Sequence, residues 1–457
     1  MNKRMIMLMA AALALLSAAA GQISFTGGSI DSYHVIEVQP AMTTGLNMIY
    51  VIYDTQGVSM NYTASSNETV TWQSFESRGG GYAEPVTGIT RVGNVTTLHQ
   101  VLGDMGYIIT EGTTPTYVWV VNYADHRMEL NDMFFDNEES CDLLKFNIDA
   151  EPDIPYYTIT GVHQLLDREL TLHYNNLEWN ATSYSWEEVE VTDTFPSLDQ
   201  VVIDPPLCST GFKLKGDRYL KEWNLPMQEI DVDIEYYEPR AVSCHAEAYQ
   251  DFRGNPNEKG NDANVLGGSA PCHIVFTGYP TSGVTFSEWQ MATDDNFENI
   301  IMRFPINQPV EEHVEEYTFE NEGTFYMRYH VAHGSCEAFT EDDEVFRITV
   351  GVQDLQCPNF FSPGTTPLVN DKWMVSYQSL IEFHCWIFNR WGNLVFEFTD
   401  PGEGWDGTYR GKQVDPGVYY YVITYTGSDG VKRKKSGDIN ILHYIGTSGT
   451  ETDNGGL

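Results

Sequence analysis

Three short stretches decide the reading of this chain: Ile387-Phe388-Asn389-Arg390-Trp391-Gly392, Trp405-Asp406-Gly407-Thr408-Tyr409 and Pro416-Gly417-Val418-Tyr419-Tyr420-Tyr421. Leu394 to Phe398 alternates apolar and other side chains, and Val418 to Tyr425 is a β-branched and aromatic run, so both predict strands. Asp400-Pro401-Gly402 and Asp406-Gly407 are turn chemistry, because Gly takes positive φ and Pro presets its own. Asp429-Gly430 predicts a hairpin between that long strand and Val431–Leu442. A compact β-module follows.

These motifs, in the order Asn-Arg-Trp-Gly, Trp-Asp-Gly-Thr, Pro-Gly-Val-Tyr-Tyr-Tyr-Val and Ser-Gly-Asp-Ile-Asn-Ile, resemble the gliding-motility-associated C-terminal domain. That domain is the type B sorting domain of the type IX secretion system of Bacteroidetes. The resemblance covers about residues 357–444, and it departs from the family where Phe361-Ser362-Pro363-Gly364-Thr365-Thr366-Pro367 replaces most of an acidic opening loop. It implies a sorting motif of Asn389, Arg390, Trp391, Gly392, Trp405, Asp406, Gly407, Gly417, Tyr419 and Tyr420. It also implies passage through the type IX translocon, with a PorP/SprF-like outer-membrane barrel as partner. The strands around Trp386, Phe388, Val395, Tyr419 and Tyr421 are expected to pack. If the Trp391 ring is buried with them, its loss should cost about 3–5 kcal/mol.

The remaining composition agrees with an exported chain. Its 457 residues suffice for three or four domains, and the net charge of −40 argues against nucleic acid or anionic lipid as partners. Met1 to Gln22 reads as a secretory leader: Lys3 and Arg4, an apolar run to Leu16, then Ala18-Ala19-Ala20 before Gly21. No later run is long enough to be a transmembrane segment. Seven cysteines without a Cys-x-x-Cys favour disulfides in this setting. The pairing favoured here is Cys141–Cys208, Cys244–Cys272 and Cys357–Cys385, with Cys336 left over.

The fold class expected is all-β, with tandem immunoglobulin-like sandwiches ahead of the sorting module. Residues 23–124 read as a first sandwich. Its strands are Asn47–Asp54, Val58–Thr63 and Val70–Phe75 (centred on a core Trp72), followed by a long-looped hairpin around Glu111–Thr116. Residues 125–250 read as a second β-domain, with a helical turn at His163–Asp167 and a solvated acidic strand at Glu187, Glu188 and Glu190. The polar stretch 251–268 reads as a linker. Residues 269–351 resemble a polycystic-kidney-disease-type (PKD) domain, an immunoglobulin-like sandwich, through Phe276, Trp289 and the Gly323-Thr324-Phe325-Tyr326 strand. There Asp294-Asp295-Asn296 is a polar turn or a calcium loop. The sorting module occupies 352–445, and 446–457 reads as a disordered tail.

Catalytic chemistry is not legible. There is no Gly-x-Ser-x-Gly elbow, His-Glu-x-x-His pair or Walker loop. Gly79-Gly80-Gly81 lacks the Lys-Ser/Thr a phosphate cradle needs, Glu311–Glu316 reads as a loop, and the acids near Cys336 oppose a thiolate. His245, His273 and His384 lie near cysteines without a third convergent ligand. The chain therefore reads as non-enzymatic, with no cofactor or metal. The basic cluster Lys432-Arg433-Lys434-Lys435 is either a translocon-docking edge or an edge strand guarded against aggregation. The role implied is an adhesive or structural surface protein with an unidentified surface ligand. Two alternatives are a PorA-like accessory relaying secretion status, and a hydrolase within the first two domains.

Overall fold

The computed structural model describes residues 21–442, except 136–139, 152, 198–200, 234–236, 253–254, 342–343 and 364–369. The body of the leader, the tail and most of the Phe361–Pro367 replacement loop lie outside the described residues. The fold is all-β: three sandwiches followed by a terminal module.

In the first sandwich a six-stranded sheet runs Ile36–Val38, Met48–Ile52, Thr114–Asn122, Met105–Glu111, Val70–Phe75, Glu84–Pro85. Met48–Ile52 and Thr114–Asn122 are parallel neighbours and are nearly continuous apolar runs, the pattern of a sheet covered on both faces. One face, with Tyr50, Ile52, Trp72, Val118 and Val120, packs on a four-stranded sheet that contributes Met60, Tyr62 and Leu98. Trp72 is a core residue as expected, and its Nε1 donates to Thr96 Oγ1 at 3.1 Å. The other face, with Ile49, Val51, Trp119 and Val121, is covered by Ile154, Tyr156, Leu166, Tyr219 and Trp223 from the next segment.

That covering explains two differences from the sequence reading. His163–Leu165 is a strand paired with Pro155–Tyr157, not a turn of helix. The short helix lies at Arg218–Glu222, capped by Asp217. Asp217 and Arg168 form a buried ion pair, with Arg168 Nη2 2.6 Å from Asp217 Oδ2. Tyr123 of the first sandwich donates to the same carboxylate at 3.2 Å. The expected long hairpin loop is also absent: Glu111 pairs with Thr114 across a tight Gly112-Thr113 turn.

The second sandwich packs Glu129–Phe135, Leu144–Glu151 and Val202–Ile203 against a sheet of Ser185–Phe195, Leu170–Asn180, Phe212–Gly216 and Gln228–Val232. Glu187, Glu188 and Glu190 are exposed on that sheet. The third sandwich takes in Cys244–Gln250, placed by sequence at the end of the second domain; it pairs with Cys272–Pro280. The core is built on Phe276, Trp289 and Tyr329. His313–Phe319, expected as part of a loop, is a strand of the same sandwich. Its buried His313 is pushed down to about 4 by desolvation.

The described part of the polar stretch 251–268 is not a free linker. Asn257 Nδ2 donates to the carbonyls of Val375 and Pro401, both at 2.8 Å, and Tyr377 N donates to Asn257 O at 3.0 Å. Gly267–Gly268 pairs in parallel with Thr349 and Val350. A side-chain amide and a main-chain bridge thus hold this segment on the terminal module.

The cysteine pairing differs from expectation. The bond joins Cys141 to Cys336, and Cys208, Cys244, Cys272, Cys357 and Cys385 are thiols. Sequence proximity misled here because the strand register decides reach. Cys244 sits opposite Pro280, eight residues along the strand from Cys272, which is about 26 Å at ~3.3 Å per residue. A disulfide tolerates only about 7 Å between Cα atoms. Cys208 is buried within the second sandwich, its Sγ turned to Asn175 O. Cys357 and Cys385 both belong to the module core, where burial pushes both thiols up. The observed bond staples the second sandwich to the third across 195 residues. By loop-closure entropy this contributes roughly 5 kcal/mol. Peptide mapping without reduction is expected to recover Cys141 linked to Cys336, and mild reduction to lower the unfolding temperature; a Cys141–Cys208 peptide would contradict the pairing.

A pH dependence also follows from this packing. The buried Glu111 carboxylate accepts from the hydroxyl and amide of Ser66, both at 2.6 Å, from Tyr62 OH at 2.9 Å, and from Ser65. The Ser66 hydroxyl is the largest influence holding it down to about 2, with Tyr62 and Ser65 adding and burial opposing. The folded-state value is depressed, so the stabilisation is present above the ordinary value of 4.5 and is lost as pH falls through about 2. Thermal melts of wild type and Glu111→Gln are therefore expected to differ most at neutral pH and to converge across that window. A constant difference would remove Glu111 as the cause.

Candidate functional site

The terminal module is a five-stranded sheet in the order Phe360–Phe361, Lys432–Ile441, Gly417–Gly427, Leu380–Phe388, Leu394–Phe398. The Asp429-Gly430 hairpin forms as expected, with Thr426 opposite Lys432. The inner face carries Cys385, Ile387, Tyr421, Ile423 and Ile439 into a core closed by Trp373 and Trp405. The two tryptophans exchange main-chain hydrogen bonds at 2.7 and 2.9 Å. Both rings are fully buried, with Tyr421 5.1 Å from Trp373 and Tyr419 5.3 Å from Trp405.

The second and third motif stretches build this core. Asp406 Oδ1 accepts from the amide and hydroxyl of Thr408 at 2.9 and 2.7 Å, and Trp405 Nε1 donates to Thr408 O at 2.9 Å. Gly407 takes φ 77°, which favours glycine, and a Cβ there would press closely on Phe361 and Pro363 at about 3.2 Å. Tyr419 OH donates to Asp415 O at 3.1 Å, which orients its ring on Trp405. Gly417 begins the strand on which Tyr419, half-buried, and Tyr420, exposed, alternate.

The first stretch does something else. Asn389 Oδ1 accepts from the amides of Trp391 and Asn393, both at 3.0 Å, and Gly392 at φ 82° turns the chain. This Asx-type turn is a hairpin tip. It lifts Trp391 off the module: the ring is 70 % exposed, with the Arg390 guanidinium 4.2 Å over it. A buried Trp391 is thus corrected. The core tryptophans are Trp405 and Trp373, and the latter the motif reading left unassigned. The signal available in the sequence was the Asn-x-x-Gly spacing, which builds a tip more readily than a core strand.

Cross-strand register orders the outer face. Leu394, Phe388 and Tyr420 lie in one row beside the tip, all exposed or half-buried. At the opposite end Glu382, Thr426 and Lys432 form a row, and His384, Thr424 and Lys434 the next. These rows border a shallow depression of about 460 Å³. The basic cluster therefore divides by strand alternation. Lys432 and Lys434 are exposed, Lys432 lying 3.3 Å from Glu382. Arg433 grips Asp429 of the hairpin turn, which its guanidinium holds down to about 2, and Lys435 Nζ donates to Leu355 O at 2.6 Å. Two of the four cations are thus structural.

The other candidate residues do not converge. His245 faces Glu344 at 2.5 Å, His273 faces Glu316 at 3.5 Å, and His384 stacks on Trp386 at 3.8 Å. Asp294 accepts from the amides of Glu298 and Asn299, both at 2.9 Å, the geometry of a polar turn. No helix among the described residues is long and apolar enough to cross a membrane.

Comparison with known proteins bears on two of these units. Residues 355–441 match the CHU_C type IX secretion signal domain, and residues 133–232 match a fibronectin type III domain. No curated protein sequence matches the chain. Among solved structures the chain is similar to dimeric latent PorU from Porphyromonas gingivalis, at 11% identity and a TM-score of 0.16, over 72% of this chain and 35% of that one. It is also similar to the FN1-FN3 domains of chicken CNTN1, at 10% identity and a TM-score of 0.22, over 68% and 97%. Likenesses at these scores carry no argument about function. The two domain matches do, and they identify a chain that carries a fibronectin type III, immunoglobulin-like sandwich at 133–232 and a type IX secretion signal domain at 355–441.

Proposed function

We propose that this is a non-enzymatic surface protein, delivered to the cell exterior by its terminal signal domain, whose sandwiches serve an adhesive or structural role. The signal domain implies export by the type IX system. The observation that carries the finer reading is the division of labour within the module. Trp373 and Trp405 hold the core, while Arg390-Trp391 and the row of Leu394, Phe388 and Tyr420 are presented outward. An exposed, cation-capped tryptophan on a rigid hairpin is the kind of anchor that dominates protein recognition. The tip is the element offered to the translocon and to a PorP/SprF-like barrel. Lys432 and Lys434 guard the sheet edge at the other end.

Secretion of the full chain from a type IX-competent cell, beside the same chain lacking residues 355–457, tests this reading. Trp405→Ala is expected to destabilise the module by roughly 3–5 kcal/mol and to abolish export through unfolding. Trp391→Ala is expected to leave stability within about 0.5 kcal/mol, as for exposed sites, yet to strand the folded chain in the periplasm. Normal export of Trp391→Ala would remove the tip from recognition. Normal export of the truncated chain would remove the module itself.

A further inference from the structure

The tip of the long hairpin Leu170–Asn180/Ser185–Phe195 leaves its own sandwich and lies on the third one. Trp179 and Trp186 are cross-strand partners with ring centroids 5.6 Å apart, and Trp179 lies 5.0 Å from Tyr279. Trp186 Nε1 donates to Tyr279 O at 3.0 Å. His245 stacks on Trp179 at 4.7 Å, and Glu344 fixes it from behind, accepting also from Ala246 N at 3.0 Å. The rings are therefore held before any ligand arrives, which lowers the ordering cost of binding.

Beside this cluster opens a groove of about 580 Å³, a volume in the range of small-molecule sites. Four aromatic rings line it, Trp179, Tyr184, Trp186 and Tyr279, together with the carboxylates of Glu311 and Glu312. No Lys or Arg is among its lining residues. Glu311 and Glu312 are exposed, and neither has an ion-pair partner among the described residues. Tyr184, 48 % exposed, sits at φ 51°. Besides the two carboxylates the lining offers the hydroxyls of Ser185, Ser282, Tyr184 and Tyr279 and no amide side chain, so a neutral sugar is the competing ligand. Aromatic faces with uncompensated carboxylates instead complement positive charge carried on an apolar body.

We propose that this groove binds a small organic cation of the quaternary ammonium class. The rings of Tyr184, Tyr279 and the two tryptophans receive the methylated head, and Glu311 and Glu312 balance its charge. The Cys141–Cys336 bond ties together the two sandwiches that form the groove. Tryptophan fluorescence and calorimetry on the full oxidised chain provide the test, with choline chloride as probe. Its neutral isostere 3,3-dimethylbutan-1-ol and cellobiose serve as comparisons. Saturable choline binding, with the isostere about tenfold weaker or worse, is expected from a cation–π contribution of this size. Tyr184→Ala, and separately Glu311→Gln with Glu312→Gln, should each weaken choline by about tenfold at unchanged melting temperature. Equal binding of the isostere, preference for cellobiose, absence of saturable choline binding, or binding indifferent to both variants would each overturn the assignment.

Discussion

Ser379 is the point on which the terminal half of the chain depends. It is fully buried, adopts φ 53°, and makes four hydrogen bonds, three of them to the third sandwich. Its amide donates to Ser269 Oγ at 2.8 Å, its hydroxyl donates to Gly351 O at 2.7 Å and accepts from Ala270 N at 3.1 Å, and its carbonyl accepts from Ser428 N at 3.1 Å. Ser428 Oγ reaches Gly351 O as well. The knot draws partners from both sides of the junction, and buried polar networks of that kind fix geometry because partial satisfaction is so unfavourable. The knot, with the Asn257 clamp, sets the module on the third sandwich as one continuous structure.

The other junctions use different chemistry. Between the first and second sandwiches an aromatic cluster of Tyr33, Tyr53, Tyr123, Tyr219 and Trp223 meets the Arg168–Asp217 pair through Tyr123. Removing one partner of such a pair leaves an uncompensated buried charge, which is why it specifies one arrangement more than it adds stability. Between the second and third the staple is covalent and the contact is aromatic. Each junction fixes the orientation of one unit on the next.

The sequence made the fold class, the strands of the terminal module and its family resemblance legible, because alternation and turn chemistry are local. The Asp429-Gly430 hairpin and the strand Leu394–Phe398 formed where expected. What it concealed was long-range. The continuous apolar runs at Met48–Ile52 and Thr114–Asn122 gave no sign of what covered their second face, because Tyr156 and Trp223 lie far along the chain. The polar composition of 251–268 concealed the Asn257 amide that donates to the carbonyls of both Val375 and Pro401. In the site, motif membership did not distinguish the tryptophan that packs from the one that is presented. Only the Asn389 turn, which directs Trp391 outward, separates them.

Hydroxyl-radical footprinting of the full chain, read by mass spectrometry at individual tryptophans, tests the central division between core and tip most directly. Trp391 is expected to be modified rapidly, while Trp373 and Trp405, both fully buried, stay protected until the module unfolds. Protection of Trp391 at the level of Trp405 would place the motif in the core and contradict the account.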